Sequence, residues 1–257
     1  MSQSTGIEWT QATWNPWRGC TKVSPGCAHC YMFREQKRYG RDPAVITRSK
    51  TTFDDPLRWP TGRLIFTCSW SDWFHEAADD WRDDAWDIIR RTPQHTYQIL
   101  TKRPERIAQH LPRDWGTGYP NVWLGVSVEN QRHAYRAAAL ACIPAHVRFV
   151  SAEPLLGPVS LDSWMRDPET GIEVIPLYGL HWVIVGGESG PVRRAMDLKW
   201  ARSLRDQCVG YSVPFFLKQL GGWPDKHGAS KAVLDGARWT EMPVAYNAAW
   251  VTPWGRS

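Results

Sequence analysis

Short apolar segments alternate with helix-like segments along this 257-residue chain, and that alternation limits the possible folds more than any other feature. A β-rich segment at 7–14 comes first, and six apolar runs follow at 64–68, 96–100, 122–126, 147–150, 182–185 and 215–217. Helix-like patterns lie between several of them, at 31–40, 77–91, 104–111, 131–142 and 198–207. Such alternation predicts a parallel sheet with outer helices. About seven units favour an α/β fold, a full or partial (β/α) TIM-like barrel, with an open doubly wound sheet as the alternative.

Two segments interrupt the repeating pattern of strands and helices. Residues 160–179, which contain Pro168, Gly171 and Pro176, precede the run at 182–185 and are predicted to form an insertion or flap. Residues 221–257 follow the last apolar run and are predicted to be a C-terminal extension. We therefore expect a barrel domain over 1–220, with an insertion near 160–179, followed by the extension.

Composition and targeting signals restrict the functional class. The chain contains no stretch of eighteen apolar residues, and residues 1–6 lack the basic and apolar regions of a secretion signal. We therefore expect a cytoplasmic protein with no membrane partner. The net charge of +5 is compatible with an anionic partner but is common among proteins that have none.

Three cysteines, Cys20, Cys27 and Cys30, lie in a loop with the spacing C-x6-C-x2-C. Thiolates gathered in this way bind zinc or an iron–sulfur cluster. A structural zinc site needs four ligands, and no second cysteine pair is present, since the other cysteines stand far apart: Cys68, Cys142 and Cys208. Ligand count therefore favours a cluster with one open metal position. A zinc site completed by His29, His75 or an acidic residue, and a loop without metal, remain as alternatives.

The pattern N-P-x-x-G-C-x6-C-x2-C-Y, which begins at Asn15 and ends at Tyr31, resembles the cluster loop of radical-SAM enzymes. It is similar in particular to a phage-associated radical-SAM-like family whose members mostly lack an assigned activity. The resemblance implies that the three cysteines ligate a [4Fe–4S] cluster whose open iron binds S-adenosylmethionine (SAM). It also implies a TIM-like barrel of the radical-SAM type and a reductant such as flavodoxin. The usual spacing is C-x3-C-x2-C, and His29 stands where an aromatic residue usually precedes the third cysteine.

Polar residues follow nearly every predicted strand. Because active sites of (β/α) barrels form at the carboxyl ends of the strands, we expect these residues to share one site with the cysteine loop. Each of them alone could equally be a helix cap or a solvated loop residue. In chain order they are Cys68, Ser69, Ser71, Asp72, His75, Lys102, Ser127, Glu129, Glu153, Gly186, Gly187, Glu188 and Lys218.

The resemblance also implies roles for these residues. Radical-SAM enzymes use the tip of the second strand for the methionine amino group, a role that here falls to Ser69, Ser71 and Asp72. Their common G-G-E sequence occurs at 186–188, after the sixth strand rather than the second. The other predicted cofactor or substrate groups are Ser127, Glu129, Glu153, Gly186, Gly187, Glu188 and Lys218.

Three residues are candidates for catalysis. Lys102 could neutralise a carboxylate or phosphate, as could Lys218. His75 is a candidate acid or base, although a capping role is the simpler interpretation. Cys68 is a candidate hydrogen-atom donor, since it lies at the end of the second strand.

The sequence therefore predicts a radical-SAM enzyme that abstracts hydrogen from its substrate. The family's association with phages, the basic charge and seventeen tryptophans together suggest a nucleic-acid base, such as a modified pyrimidine in DNA. Trp14, Trp17, Trp70 and Trp73 flank the proposed chemistry and are candidates for stacking. Two alternatives remain: a zinc-stabilised nucleic-acid-binding protein without catalysis, and a metal-dependent nuclease that uses the carboxylates of Asp72, Glu129, Glu153 and Glu188.

Overall fold

The computed structural model describes residues 5–243, and a seven-stranded parallel sheet forms its centre. The predicted parallel α/β sheet is thereby confirmed, with each apolar run in a strand. The strands, each hydrogen-bonded to the next in this order, are β1 (Ala12–Trp14), β4 (Leu64–Thr67), β5 (Thr96–Thr101), β6 (Val122–Ser127), β7 (Val147–Ala152), β10 (Trp182–Gly186) and β11 (Phe215–Gln219).

The spatial order of the strands follows their order in the chain. A doubly wound sheet reverses direction partway along its strand order, so that alternative is excluded. Successive crossovers in one direction, right-handed as is the rule for parallel strands, place the helices on one face of a sheet that is curled into a half-barrel. The predicted barrel is therefore partial, and its edge strands β1 and β11 do not pair with each other within residues 5–243.

Five α-helices accompany the described strands, and they match most of the helix-like patterns. They are α1 (Tyr31–Arg38), α2 (Asp55–Arg58), α3 (Asp79–Arg91), α4 (Tyr135–Ala141) and α5 (Leu198–Gly210). The predicted helix at 104–111 is wrong, since this segment forms two 3-10 turns, Pro104–Arg106 and Ala108–His110. Over the described residues, no helix combines the length and apolar character needed to cross a bilayer.

The predicted first strand at 7–14 is too long, because only Ala12–Trp14 pairs with β4. The Trp9 side chain, three residues before β1, instead points into the half-barrel. Its ring lies 4.8 Å from that of Phe66 and 6.1 Å from that of Trp182. Residues 7–11 therefore lie outside the strand, and the Trp9 side chain packs in the inner core.

Two hydrophobic cores lie on opposite faces of the sheet. The larger one joins the sheet to α3, α4 and α5. The smaller one contains strand residues together with Trp9 and Ala229, so it fills the inner face of the half-barrel. Its aromatic members include Trp9, Trp123, Phe149, Trp182 and Phe216. We call this cluster the aromatic floor; one polar side chain packed against it is Gln98, which donates to the Trp9 carbonyl at 3.2 Å.

Tryptophans beside the cysteine loop are structural rather than exposed. Trp14, Trp17 and Trp73 are fully buried, and their rings contact one another at 5.1 to 5.9 Å. The expectation that they could stack on a ligand is therefore wrong. Trp70 is partly exposed and lies 5.9 Å from the Arg18 guanidinium.

Small elements lie outside the main sheet. β2 (Trp17–Arg18) pairs with β3 (Thr47–Arg48), and the predicted insertion contains a second short ribbon, β8 (Met165–Arg166) with β9 (Glu173–Val174). The part of the C-terminal extension at 221–243 runs beside β11, where Leu217 donates to the Trp239 carbonyl. Residues 244–257 lie outside the described residues.

Candidate functional site

The cysteine loop connects the carboxyl end of β1 to α1, and contacts with the loop after β4 hold it in place. The Trp70 amide donates to Asn15 Oδ1 at 2.8 Å, and the Gly19 amide donates to the Trp70 carbonyl at 3.0 Å. Gly19 has a φ of +98°, and a Cβ there would lie 2.3 Å from the Val45 carbonyl oxygen. The loop path therefore requires glycine at this position.

The three loop cysteines are free thiols close enough to influence each other. Burial raises the pKa of Cys20 to about 12, and Asp72 raises it further while Arg103 opposes both. Burial also raises the pKa of Cys30, and Cys27 contributes to the rise at both neighbours. Binding of a metal centre must therefore displace protons from these thiols.

Polar groups lie near each thiol. Arg103 Nη1 donates to Cys20 Sγ at 3.9 Å. Ser24 Oγ lies 3.7 Å from Cys27 Sγ, and because the Ser24 hydroxyl donates its one hydrogen to Glu129, the Cys27 thiol is the donor of this pair. Cys30 caps α1, where the backbone amides of Met32 and Phe33 act on its thiol and lower its pKa. Amide and guanidinium donors of this kind stabilise thiolate ligands and tune the clusters that they hold.

Glu129, at the tip of β6, ties the cysteine loop to the sheet. It is completely buried, and its Oε1 accepts a 2.5 Å hydrogen bond from Ser24 and lies 3.5 Å from Lys102 Nζ. Its Oε2 accepts from Arg136 at 3.1 Å. Burial alone would raise the pKa of Glu129, but Lys102, Arg136 and Ser24 outweigh it and hold the pKa below its usual value.

Gly26 allows this close approach of loop and carboxylate. A Cβ on Gly26 would lie 2.5 Å from Glu129 Oε1, which no real side chain tolerates without displacement. The glycine between the first two cysteines therefore sets the distance between the loop and β6.

Glu188, after β10, anchors the other side of the loop. It accepts from His29 Nδ1 at 3.1 Å and from the Arg194 guanidinium at 2.6 and 2.9 Å. Arg194 also donates to the Pro25 carbonyl at 3.0 Å. Burial alone would raise the pKa of Glu188, but the hydrogen bonds from Arg194 and His29 lower it to about 2. Glu188 is therefore ionised and serves to position the loop.

Of the residues predicted for the second strand tip, Ser69 and Ser71 contact the cysteine loop, whereas the Asp72 carboxylate contacts the residues at the end of β5. Ser69 exchanges hydrogen bonds with Asn15, and Ser71 Oγ donates to the Gly19 carbonyl at 2.5 Å. Asp72 accepts from the Lys102 amide at 2.9 Å and from Thr101 Oγ1 at 2.6 Å, and it pairs with Arg103 at 3.2 Å. The Asp72 carboxylate thus fixes the tip of β5.

Two candidate catalytic residues occupy structural positions. His75 Nδ1 accepts from the Ala77 amide, so Nε2 carries the proton and donates to Thr21 Oγ1 at 3.1 Å. Burial and Arg103 lower the pKa of His75, which keeps the ring neutral at pH 7. Cys68 is 3% exposed in the main core. Their predicted catalytic roles stay predictions, and both side chains already have structural roles.

The remaining predicted residues lie on the inner face of the half-barrel or beside it. Lys218 Nζ pairs with both oxygens of Glu153 at 2.6 and 2.8 Å. Ser127 is buried next to Glu129, and its carbonyl accepts from Arg136.

The glycine pair after β10 serves close packing. A Cβ on Gly186 would lie 3.2 Å from Glu153, and one on Gly187 would lie 2.2 Å from the Leu220 carbonyl oxygen. The predicted SAM contact at this pair stays a prediction, and the backbone beside Leu220 already accounts for the absence of a side chain at Gly187.

Three positioning residues were not predicted from the sequence. Ser24 and Arg194 hold the cysteine loop against Glu129 and Glu188, and Arg103 lies against the first cysteine. Arg103 immediately follows the predicted Lys102, and Ser24 lies inside the cysteine loop, so both were within reach of the strand-tip argument. Nothing in the sequence near Arg194 indicates its partner.

Over residues 5–243, no three His, Cys, Asp or Glu side chains converge in a way that could hold one metal ion.

Comparison with known proteins identifies a family but no activity. No curated protein and no solved structure gives a significant match to the chain. Residues 4–243 match the family model described as "Protein of unknown function (DUF5131)". This match covers most of the chain, which therefore belongs to the DUF5131 family.

Proposed function

We propose that this protein is a radical-SAM enzyme in which Cys20, Cys27 and Cys30 hold a [4Fe–4S] cluster. The observation that carries the proposal is the loop itself: three thiols, with a guanidinium beside Cys20 and backbone amides beside Cys30, lie at the carboxyl end of a parallel half-barrel. When bound, a cluster of this kind with SAM on its open iron supplies a 5′-deoxyadenosyl radical that abstracts hydrogen.

The residues around the loop have roles that follow from their contacts. Lys102 and Arg103 place positive charge beside Cys30 and Cys20, which offsets the charge of bound thiolates. Ser24 bonded to Glu129, and Arg194 bonded to Glu188, hold the loop rigidly against two strand tips.

The inner face supplies the remaining surroundings of the proposed site. The Glu153 and Lys218 pair is partly exposed there, with 18% and 14% of the side chains accessible, so it can exchange partners with a polar ligand. Below it, the aromatic floor excludes water, which protects a reactive radical from side reactions. We assign cofactor or substrate contacts to Glu153 and Lys218, and positioning roles to Asp72, Glu129 and Glu188.

Pairing of the site carboxylates argues against the nuclease alternative. Each of the four proposed metal-binding acids already has a basic partner within 3.2 Å: Asp72 with Arg103, Glu129 with Arg136, Glu153 with Lys218, and Glu188 with Arg194. Magnesium sites use carboxylates that are free to coordinate.

The test is release of 5′-deoxyadenosine from SAM. The anaerobically reconstituted protein, reduced with dithionite, is expected to release it, and replacement of any one loop cysteine by alanine should abolish the release. Cys142→Ala is the matched control, because Cys142 is a free cysteine far from the loop in sequence. Release that persists in Cys27→Ala, or no release by the iron-loaded protein, would contradict the proposal.

A further inference from the structure

A groove of about 510 Å³ lies beside the cysteine loop, between α1 and the segment after β10. One helical face of α1 contributes Cys30, Phe33, Arg34 and Lys37, at the spacing i, i+3, i+4 and i+7. Because Cys30 lines the groove, whatever fills it lies directly against the proposed cluster ligand. The other lining residues include Lys22, His29, Asp42, Ser189, Gly190 and Val192.

Positive charge dominates this groove. Lys22, Arg34 and Lys37 face it, whereas Asp42 is its single carboxylate, and Asp42 Oδ1 already accepts from the Ala44 amide at 2.9 Å. The Lys37 ammonium has no hydrogen-bond or ion-pair partner within residues 5–243. Arg34 Nε donates to Glu35 Oε1 at 3.2 Å, but Glu35 does not line the groove. The net positive charge of the lining fits a ligand that carries several negative charges.

Two of these cations are held along the wall. Lys22 Nζ donates to the Ala28 carbonyl at 3.0 Å and lies 5.1 Å from the centre of the Phe33 ring. The Arg34 guanidinium lies against Gly190, where a Cβ would be only 3.0 Å from Nη1. Gly190 therefore leaves room for Arg34 to line the groove.

Apolar surface accompanies the charge. Phe33 is partly exposed, and Val192 at the rim is 68% exposed. Val23 and Tyr31, which follow the lining residues Lys22 and Cys30 in the chain, are each 44% exposed. Binding sites for single-stranded nucleic acids combine a row of cations, which contacts the phosphate backbone, with aromatic and apolar groups, which contact the unstacked bases.

We propose that this groove binds the phosphate backbone of a single-stranded nucleic acid and leads the strand past Cys30. The strand's role as the substrate rests on the proposed radical-SAM function, whereas its binding does not. Arg34 and Lys37 contact successive phosphates, and the bases face the apolar rim toward the mouth of the half-barrel.

An acidic electron-carrier protein is the competing occupant, because it too needs positive charge near a cluster. The observations favour the strand. The groove is concave, and its apolar wall lies between α1 and the segment at 189–192. A folded protein that forms an interface of standard size needs a wider surface, of about 800 Å² on each partner.

The experiment measures binding of a fluorescein-labelled single-stranded DNA of about 12 nucleotides by anisotropy, at several salt concentrations. The charge-reversed variant Arg34→Glu/Lys37→Glu should bind at least about tenfold more weakly. The slope of the logarithm of the binding constant against the logarithm of the salt concentration should decrease in magnitude by about 1.4, because each of the two lost phosphate contacts contributes about 0.7. Arg91→Glu/Arg113→Glu changes the net charge equally, lines no part of the groove, and should bind like the wild type.

Iron content and thermal unfolding are measured on all three proteins, which separates groove binding from cluster assembly. Equal iron with weaker DNA binding in the groove variant supports the proposal, and so does DNA binding by an iron-free preparation. Equal loss of DNA binding in both variants would overturn it. Unchanged DNA binding in the groove variant would also overturn the proposal. This holds even if that variant no longer binds flavodoxin, because the groove would then be the site of the electron carrier.

Discussion

Ser24 and Glu129 are 105 residues apart in the sequence, yet Ser24 Oγ donates a 2.5 Å hydrogen bond to Glu129 Oε1. The same oxygen lies 3.5 Å from Lys102 Nζ, and the other accepts from Arg136. One buried carboxylate therefore joins the cysteine loop to the tips of β5 and β6. The geometry of the proposed cluster site depends on this contact.

Replacement of Glu129 by alanine should strongly destabilise the protein. It leaves Arg136 buried without its carboxylate, and such a loss costs about 3–5 kcal/mol. Urea unfolding should show this decrease in the free energy of unfolding. Glu105→Ala is the control, since Glu105 is exposed, and it should stay within about 0.5 kcal/mol of the wild type. Equal stability of the two variants would argue against the role of Glu129.

Gly26→Ala should displace the cysteine loop from β6. The added methyl group would overlap Glu129 Oε1, so we expect a loss of about 1–3 kcal/mol in stability. Iron bound after anaerobic reconstitution should decrease as well. Gly210→Ala is the matched control, because no heavy atom lies within 4 Å of its added Cβ, and it should be neutral or slightly stabilising. Full iron loading of Gly26→Ala would contradict this account.

The Glu188 contacts predict a loss of stability in acid. Its pKa of about 2 in the folded protein lies below the usual value in the unfolded chain, so its contribution is complete above about pH 5. The contribution should decline as the pH falls toward 2, by about 1 kcal/mol after allowance for solvent screening. The free energy of unfolding against pH, for wild type and Glu188→Gln, measures it. A difference between the two proteins that does not shrink between pH 5 and pH 2 would contradict the prediction.

Arg103→Lys keeps the positive charge beside Cys20 but removes the planar guanidinium. That group reaches Cys20, Thr21 and Asp72 together, and an ammonium cannot replace it. We expect a decrease of about 1–3 kcal/mol in the free energy of unfolding, and less iron bound after reconstitution. Arg113→Lys, at an exposed position, should match the wild type in both measurements. Wild-type iron loading in Arg103→Lys would show that charge alone suffices.

The strands of the sheet could be predicted from sequence because their signal is local. Buried parallel strands are short continuous apolar runs, and each run from 64–68 to 215–217 is a strand. The helix at 104–111 failed because Pro104 starts a 3-10 turn, and a second such turn follows it. The strand at 7–14 was too long because Trp9 is drawn into the aromatic floor, a tertiary effect.

The position of the site at the strand tips could also be predicted, but its contacts could not. The bond from Arg194 to Pro25 spans 169 residues, and the bond from Arg103 to Thr21 spans 82. Such pairs depend on how the curled sheet brings distant loops together. The sequence showed which residues stand at the carboxyl edge, whereas which of them bind each other required the coordinates.

The most direct test of the central claim is the amount of iron and acid-labile sulfide bound per chain after anaerobic reconstitution, in wild type and in Cys27→Ala. We predict about four irons and four sulfides per wild-type chain and little of either in the variant. About one zinc per chain with no iron, or equal iron in both proteins, would contradict the account.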